Sequence, residues 1–191
     1  MARPREFDIE AAVDRAMHVF WTHGYEATTT DELLKGMGLT RGSLYKAFGD
    51  KLSLFLKSLD LYDQREVDGA VEHLVRPDLS GKDRITSLFN GIVVKVEAGD
   101  RLGCLLCSTL AEAPVQDPEI SARTASSVKK LHDAFARALE DDPETTYPDS
   151  YAQLLLTQYV GIRVLSRTGL PASTIRDSAN AVEALLGNKG A

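Results

Sequence analysis

Two groups of side chains in this sequence have types and spacings that could support chemistry. The first is the pair Cys104 and Cys107, a C-x-x-C arrangement within the run G-C-L-L-C. Side chains three positions apart on a helix lie on one face, so both thiols could react with oxidants or electrophiles. The second group is a run of polar side chains between Thr40 and Phe48, whose hydrogen-bond donors suit the phosphates and base edges of nucleic acid.

The cysteine pair is open to several interpretations. Packing is favoured over sensing, because buried cysteine commonly behaves as a small apolar residue and Arg101 is the only base nearby in the sequence that could lower a thiol pKa. A helical thiol peroxidase with a C-x-x-C motif is an alternative, but it requires a histidine four positions after the second cysteine, where Ala111 stands. No second cysteine pair or histidine pair has the spacing of zinc ligands.

The four histidines are dispersed along the chain, and each is expected on a helix surface. They are His18, His23, His73 and His132. We therefore predict that the protein is not an enzyme and that it has no catalytic residue, no metal site and no cofactor.

The polar run lies in residues 29–51, TTDELLKGMGLTRGSLYKAFGDK, which has the pattern of a helix-turn-helix. Thr29 and a glutamate three positions later form a capping box that opens a short helix. Gly38 suits the turn because it can adopt positive φ, and Thr40 can cap the next helix. Leu44 and Phe48, four positions apart, are expected to face inward.

The other positions of this second helix are polar or small, as a helix in the major groove requires. Arg41 can donate a fork of hydrogen bonds to guanine or phosphate, and Gly42 allows the backbone to come close to DNA. Ser43, Tyr45 and Lys46 offer further donors to base edges and phosphates.

Helical periodicity dominates the remaining sequence, and we predict an all-α fold with about nine helices. The first four helices are expected at 9–23, 29–36, 41–48 and from 51 to about 74. Five more are expected beyond Pro77, among them 100–113, 149–167 and 172–187. The first three helices would form a DNA-binding helix-turn-helix domain over 1–50, and a helix from about 51 would connect it to a second helical region over 51–191.

Charge and composition limit the classes of function. The net charge is −6, but residues 1–58 carry eight Lys and Arg against eight Asp and Glu, so the acidic excess lies outside the predicted DNA-binding region. No apolar run approaches the about 20 residues needed to cross a bilayer. Two cysteines are too few for a disulfide framework, and the N-terminus has no secretory signal pattern, so we expect a cytoplasmic protein with no membrane partner.

The N-terminal region resembles the TetR family of bacterial transcriptional regulators. Its characteristic residues are matched here by Phe20, Gly24, Tyr25, Thr28, Thr29, Thr30, Gly38, Leu39, Thr40, Gly42, Leu44, Tyr45, Phe48 and Lys51. The resemblance implies that Arg41, Ser43 and Tyr45 lie on the groove face. It also implies phosphate contacts from Thr29, Thr30 and Lys51.

Two arginines precede the first helix, and their role is open. Arg3 and Arg5 could reach an adjacent minor groove, or they could belong to a solvated tail. Tyr25 is expected to pack and to anchor the turn after the first helix rather than to contact DNA.

The resemblance also implies that 51–191 form an effector-binding and dimerisation domain, whose last two helices pair with those of a second copy in a homodimer. This interpretation is favoured over the alternative that their apolar stripes are core within one chain. The predicted interface residues are Leu154, Leu155, Gly161, Ile162, Leu165, Ile175, Ala179, Val182 and Leu186. The implied function is a repressor that a small-molecule or electrophile inducer releases from palindromic double-stranded operator DNA. A helical protein-interaction module without DNA binding is a further alternative, which the intact polar run disfavours.

Overall fold

The computed structural model describes residues 7–112, 117–141 and 148–187, and all regular structure in these ranges is helical. Nine helices lie within them. They are α1 (Ile9–His23), α2 (Thr30–Met37), α3 (Arg41–Phe48), α4 (Lys51–Tyr62, continued by a π-helical segment Asp63–Val67 and by Asp68–Val75), α5 (Gly81–Glu97), α6 (Leu105–Glu112), α7 (Pro118–Glu140), α8 (Pro148–Leu165) and α9 (Ala172–Gly187). None of these helices is long and apolar enough to cross a membrane.

The capping residues that the sequence indicates are those that the structure uses at the N-terminal helices. Asp8 accepts hydrogen bonds from backbone N–H groups at the start of α1, and Asp50 does the same at α4. Gly38 ends α2 in the left-handed conformation, with φ of 67°. Because these signals are local, the predicted bounds of the first four helices are confirmed within a residue or two.

Helices α1 to α3 enclose an apolar core that α4 completes. Phe20 and Leu33 are fully buried, and the ring of Phe20 meets that of Phe55 edge-on at 4.9 Å between centroids. The side chain of Arg15 on α1 donates a hydrogen bond to the carbonyl of Met37 at 3.0 Å, which ties α1 to the end of α2. This core sets the orientation of α3.

Helix α4 contacts both halves of the chain. It packs against α1 on one side and against α6 and α7 further along. Ion pairs fix its middle to α7: Lys130 pairs with Asp63 and, at 2.8 Å, with Asp68, and Arg123 pairs with Asp60 at 2.8 Å. A displacement of α7 would therefore be transmitted to α4 and from there to the N-terminal helices.

The helix predicted over 100–113 begins later than expected. Residues 101–104 are not helical, and Gly103 has a positive φ of 67°. A Cβ at Gly103 would lie 2.6 Å from the carbonyl oxygen of Arg163, so close packing against α8 excludes any larger residue here. Helix α6 therefore starts at Leu105, and Cys104 precedes it instead of sharing a helical face with Cys107.

The structure places most of the predicted dimer-interface residues in the core of the single chain. Five of its residues are buried within a single chain, where a second copy could not reach their side chains: Leu155, Ile162, Ile175, Ala179 and Val182. They pack against other helices of the same chain, because α8 lies on α7 and α9 lies on α5. The remaining four are at least partly accessible, and Leu154 is 48% exposed.

Candidate nucleic-acid interface

Helix α3 is held to the protein by one face and exposes the other. Leu44 and Phe48 are buried, as their spacing predicted. Arg41, Tyr45 and Lys46 are exposed, and 44% of Tyr45 is accessible although it is a large aromatic residue. The helix therefore presents a polar face with an aromatic side chain at its centre.

Packing within the chain does not account for the glycine at position 42. A Cβ on Gly42 would meet no atom within 4 Å, and its φ is not positive. Neither space nor backbone conformation in the free protein requires a glycine there. A glycine would be required there if another molecule packed closely against this face of α3.

Several predicted DNA contacts are engaged with other groups in the free protein. The guanidinium of Arg41 pairs with Asp31 at 2.7 Å, and both side chains are largely exposed. The hydroxyl of Thr40 donates to Ser43 Oγ at 2.9 Å. Such exposed ion pairs contribute only about 0–1 kcal/mol, so DNA phosphates could displace Asp31 at small cost.

Thr29 acts as the cap of α2. Its hydroxyl oxygen accepts from the backbone N–H of Glu32, and the Glu32 carboxylate accepts from the backbone N–H of Thr29 at 2.7 Å. The backbone N–H and the hydroxyl of Thr29 both donate to this carboxylate, and these two hydrogen bonds lower the pKa of Glu32. Thr30 follows as the first residue of α2 and is half-buried. The predicted Arg3 and Arg5 lie outside the described residues.

Lys51 is positioned by the turn between α1 and α2. Its ammonium lies 4.6 Å from the ring centroid of Tyr25 and 3.4 Å from the carbonyl oxygen of Glu26. The ring of Tyr25 in turn packs on Phe55 at 4.5 Å between centroids, which confirms the expected anchoring role of Tyr25. The cation therefore stays close to α3 at the start of α4.

Besides α4, two groups of long-range hydrogen bonds connect the N-terminal helices to the later helices. The first is made by Glu112, the last residue of α6, whose carboxylate accepts from the backbone N–H of Tyr25 at 2.9 Å. Sequence reasoning missed it because the partners are separated by 87 positions. Among the hydrogen bonds of the described residues, this carboxylate is the only acceptor on α6 that binds the turn between α1 and α2.

The second connection is Arg167, just beyond α8. Its guanidinium donates to the carbonyls of Trp21 at 2.7 Å, Leu102 at 2.9 Å and Thr22 at 3.2 Å. The indole N–H of Trp21 also donates to Leu102 at 3.1 Å. One cation thus joins the end of α1, the segment before α6 and the end of α8.

The two cysteines occupy different environments, and both are free and buried. Cys104 precedes α6, and its sulfur accepts from the backbone N–H of Cys107 at 3.4 Å and from the hydroxyl of Tyr62 at 3.1 Å. The guanidinium of Arg163 donates to the same hydroxyl at 3.3 Å.

The surroundings shift the pKa values of the two thiols in opposite directions. Burial raises the pKa of Cys104, but the hydrogen bond with Cys107, the charge of Arg163 and the hydrogen bond from Tyr62 together lower it to about 6. The hydrogen bond with Cys104 and burial raise the pKa of Cys107. The base that lowers the pKa of Cys104 is therefore Arg163, which is distant in sequence, and not Arg101, the base nearby in the sequence.

Comparison with known proteins gives consistent results. The family model "Bacterial regulatory proteins, tetR family" matches residues 12–57. The chain is 33% identical over 140 residues to the uncharacterized HTH-type transcriptional regulator YezE of Bacillus subtilis (strain 168), covering 73% of this chain and 72% of YezE. It is 32% identical over 142 residues to the HTH-type transcriptional repressor ComR of Escherichia coli (strain K12), covering 72% of this chain and 64% of ComR.

Solved structures share the fold along nearly the whole chain. A cysteine mutant of the TetR family transcriptional regulator CifR, complexed with 26 bp double-strand operator DNA, has a TM-score of 0.80 at 25% identity and covers 96% of this chain and 98% of its own. Reduced E. coli NemR has a TM-score of 0.81 at 18% identity, and the match covers 92% of this chain and 94% of NemR.

Proposed function

Since the chain belongs to the TetR family of bacterial regulatory proteins, we propose that it is a DNA-binding transcriptional repressor whose operator affinity a small molecule controls. The observation that carries the proposal is the presentation of α3, which is anchored by Leu44 and Phe48 and exposes Arg41, Tyr45 and Lys46. The curated relatives are transcriptional regulators, so the thiol peroxidase alternative has no support.

Helix α3 would enter the major groove with Tyr45 at the centre of the contact. Arg41 exchanges Asp31 for a phosphate or a guanine, and Gly42 lets the helix backbone approach the DNA. Lys51, together with Thr29 and Thr30 at the start of α2, would contact the flanking phosphates. Ser43 and Lys46 complete the proposed set.

A homodimer would place two copies of α3 about 34 Å apart on successive major-groove faces of a palindromic operator. Support comes from apolar side chains that the single chain leaves exposed on its last two helices. Tyr151 and Leu154 on α8 and Leu185 on α9 are each more than a third exposed. Gly161 is also exposed, and a Cβ there would meet no atom of this chain within 4 Å, so a second backbone could approach closely. The domain division at about residue 50 remains part of this proposal.

Regulation would act through the two connections to the DNA-binding helices. Helix α6 begins beside Cys104 and ends at Glu112, which binds the turn holding Tyr25. Arg167 binds the end of α1 directly. A ligand that displaces the start of α6 or the end of α8 would change both contacts and would lower operator affinity through linkage.

Direct sensing by Cys104 is a second candidate, which its lowered pKa favours. A thiolate is the reactive form of cysteine, and Cys104 is the more acidic of the pair. Retention of a normal response to electrophiles in a Cys104→Ser, Cys107→Ser double variant would exclude this role.

The DNA-binding proposal is tested with Arg41→Ala. Fragments selected from genomic DNA supply the operator, and fluorescence anisotropy measures affinity. Removing one base or phosphate contact costs about 1–3 kcal/mol, so we expect a loss of at least about fivefold.

The matched control is Arg76→Ala. Arg76 also forms an exposed ion pair, with Asp78, but it lies beyond the far end of α4 from α3. Its removal should leave operator affinity unchanged within about twofold. Equal affinities of both variants for the operator would refute the assignment of α3 as the reading helix.

A further inference from the structure

Arg163 is a buried cation that pairs with no carboxylate of the described residues, and the acidic group on which its charge acts most clearly is the thiol of Cys104. Arg163 is 6% exposed, and no carboxylate of the described ranges forms a salt bridge with it. One of its terminal nitrogens donates to the hydroxyl of Tyr62 at 3.3 Å, and its Nε–H has no hydrogen-bond partner. Arginine keeps its charge in proteins, so this group cannot relieve the cost of burial by losing a proton.

The buried guanidinium borders a cavity of about 460 Å³. The cavity lies between the second half of α4, helix α5 and helix α8, and its volume falls within the range of small-molecule sites. Its wall combines apolar side chains, including Leu88 and Ile92, with the phenol of Tyr159. The space thus suits a ligand with an apolar part and a polar end.

The other charged side chains that line the cavity have partners of their own. Arg65 pairs with Asp14, and Lys95 pairs with Glu66 at 3.5 Å. His73 directs its Nε2 to the carbonyl oxygen of Arg84 at 3.1 Å and to the hydroxyl of Ser87 at 2.8 Å. Among the described residues that line the cavity, Arg163 is therefore the cation that no carboxylate neutralises.

We propose that this cavity binds a small organic carboxylate, whose carboxylate pairs with Arg163 and whose apolar part packs on Leu88 and Ile92. A guanidinium offers two parallel donors that match the two oxygens of a carboxylate, and the unpaired Nε–H supplies one of them. A carboxylate brings one negative charge to Arg163, whereas a phosphate dianion would bring two into a cavity that the carboxylate of Glu66 also lines.

The position of Arg163 connects this site to the regulatory contacts. It lies four residues before Arg167, which binds the end of α1, and it shares the hydroxyl of Tyr62 with Cys104 at the start of α6. A carboxylate that draws the guanidinium away from Tyr62 would alter the contact of Tyr62 with Cys104 and the contact of Arg167 with the end of α1. The role of the ligand as the inducer rests on the proposed function, but its binding does not.

The test compares carboxylates with their neutral amides by isothermal titration calorimetry, without DNA. The probes are hexanoate, octanoate and benzoate, each paired with its amide and, for the eight-carbon chain, with octyl phosphate. We expect at least one carboxylate to bind at least tenfold more tightly than its amide and than octyl phosphate. Amide binding as tight as that of every carboxylate, or preference for the phosphate, would overturn the proposal.

Two variants test whether Arg163 causes the preference for carboxylate. Arg163→Met removes the unpaired charge while keeping an unbranched apolar side chain, and it should abolish the preference for carboxylate. A cooperative thermal unfolding transition of Arg163→Met shows that the variant is folded. Arg65→Gln, whose charge Asp14 already balances, should keep the preference within about twofold. An unchanged preference in Arg163→Met would overturn the proposal.

Anisotropy with operator DNA then separates this inference from the proposed function. Carboxylates that bind but do not release DNA would support the site and reject its role as the inducer site. A protein that binds no operator would refute the proposed function while leaving the calorimetric result intact.

Discussion

Replacement of Gly42 by alanine should change stability and DNA affinity in opposite directions. Gly42 is the second residue of α3, its φ is not positive, and a Cβ there would meet no atom within 4 Å. Alanine is favoured over glycine in a helix by about 0.5–1 kcal/mol, with the smaller value expected near a helix end. The free energy of unfolding should therefore rise by up to about 1 kcal/mol.

The added methyl group would occupy the space through which the α3 backbone approaches DNA. We expect operator affinity to fall by about tenfold, which corresponds to about 1.4 kcal/mol. A stabilised protein that binds DNA less well is difficult to explain by general damage to the fold. The opposite signs of the two changes therefore make this substitution informative.

Urea denaturation and fluorescence anisotropy on the same preparation measure both quantities. Asn90→Ala is the control, because Asn90 is an exposed position of α5 where alanine is also the better helix former. It should raise stability without a loss of affinity. Operator affinity of Gly42→Ala within about twofold of the parent would refute the proposed close approach, and a loss of stability would refute the packing argument.

Four further outcomes are expected. Asp31→Asn should raise operator affinity by up to about fivefold, since it releases Arg41 and removes a negative charge; anisotropy at two salt concentrations would show it. Alkylation of Cys104, followed by mass spectrometry, should have its midpoint near pH 6, because the lowered pKa places the thiolate form above that pH. Tyr62→Phe should move the midpoint upwards by removing a hydrogen bond that stabilises the thiolate. Glu112→Ala should cost about 1 kcal/mol in urea denaturation and should weaken ligand-dependent release of DNA, because it removes one contact between α6 and the turn after α1.

The N-terminal half was predictable because its signals are local. The capping box at Thr29, the left-handed glycine at position 38 and the four-residue spacing of Leu44 and Phe48 each act within one or two helical turns. Such signals determine where helices begin and end and which side of a short helix is buried. The exposed face of α3 follows once that buried side is known.

Apolar stripes on the last two helices were harder to assign. Ile162 and Ile175 have the spacing of an interface stripe, but they are core within one chain. Periodicity shows that a face is buried and does not show what buries it. Helices α8 and α9 each carry more than one apolar face, so the assignment depends on which neighbours pack against them.

The sequence by itself therefore determined the all-helical class, the helix-turn-helix and the polar face of α3, since these depend on neighbouring residues. Only the tertiary structure brought Arg163 and Cys104 to the same hydroxyl of Tyr62. In the sequence, Arg163 lies 101 positions from Tyr62 and Cys104 lies 42 positions from it. The acidity of a thiol and the balance of a buried charge depend on distance in space, which helix packing sets. The links from Glu112 and Arg167 to the DNA-binding helices depend on the same packing.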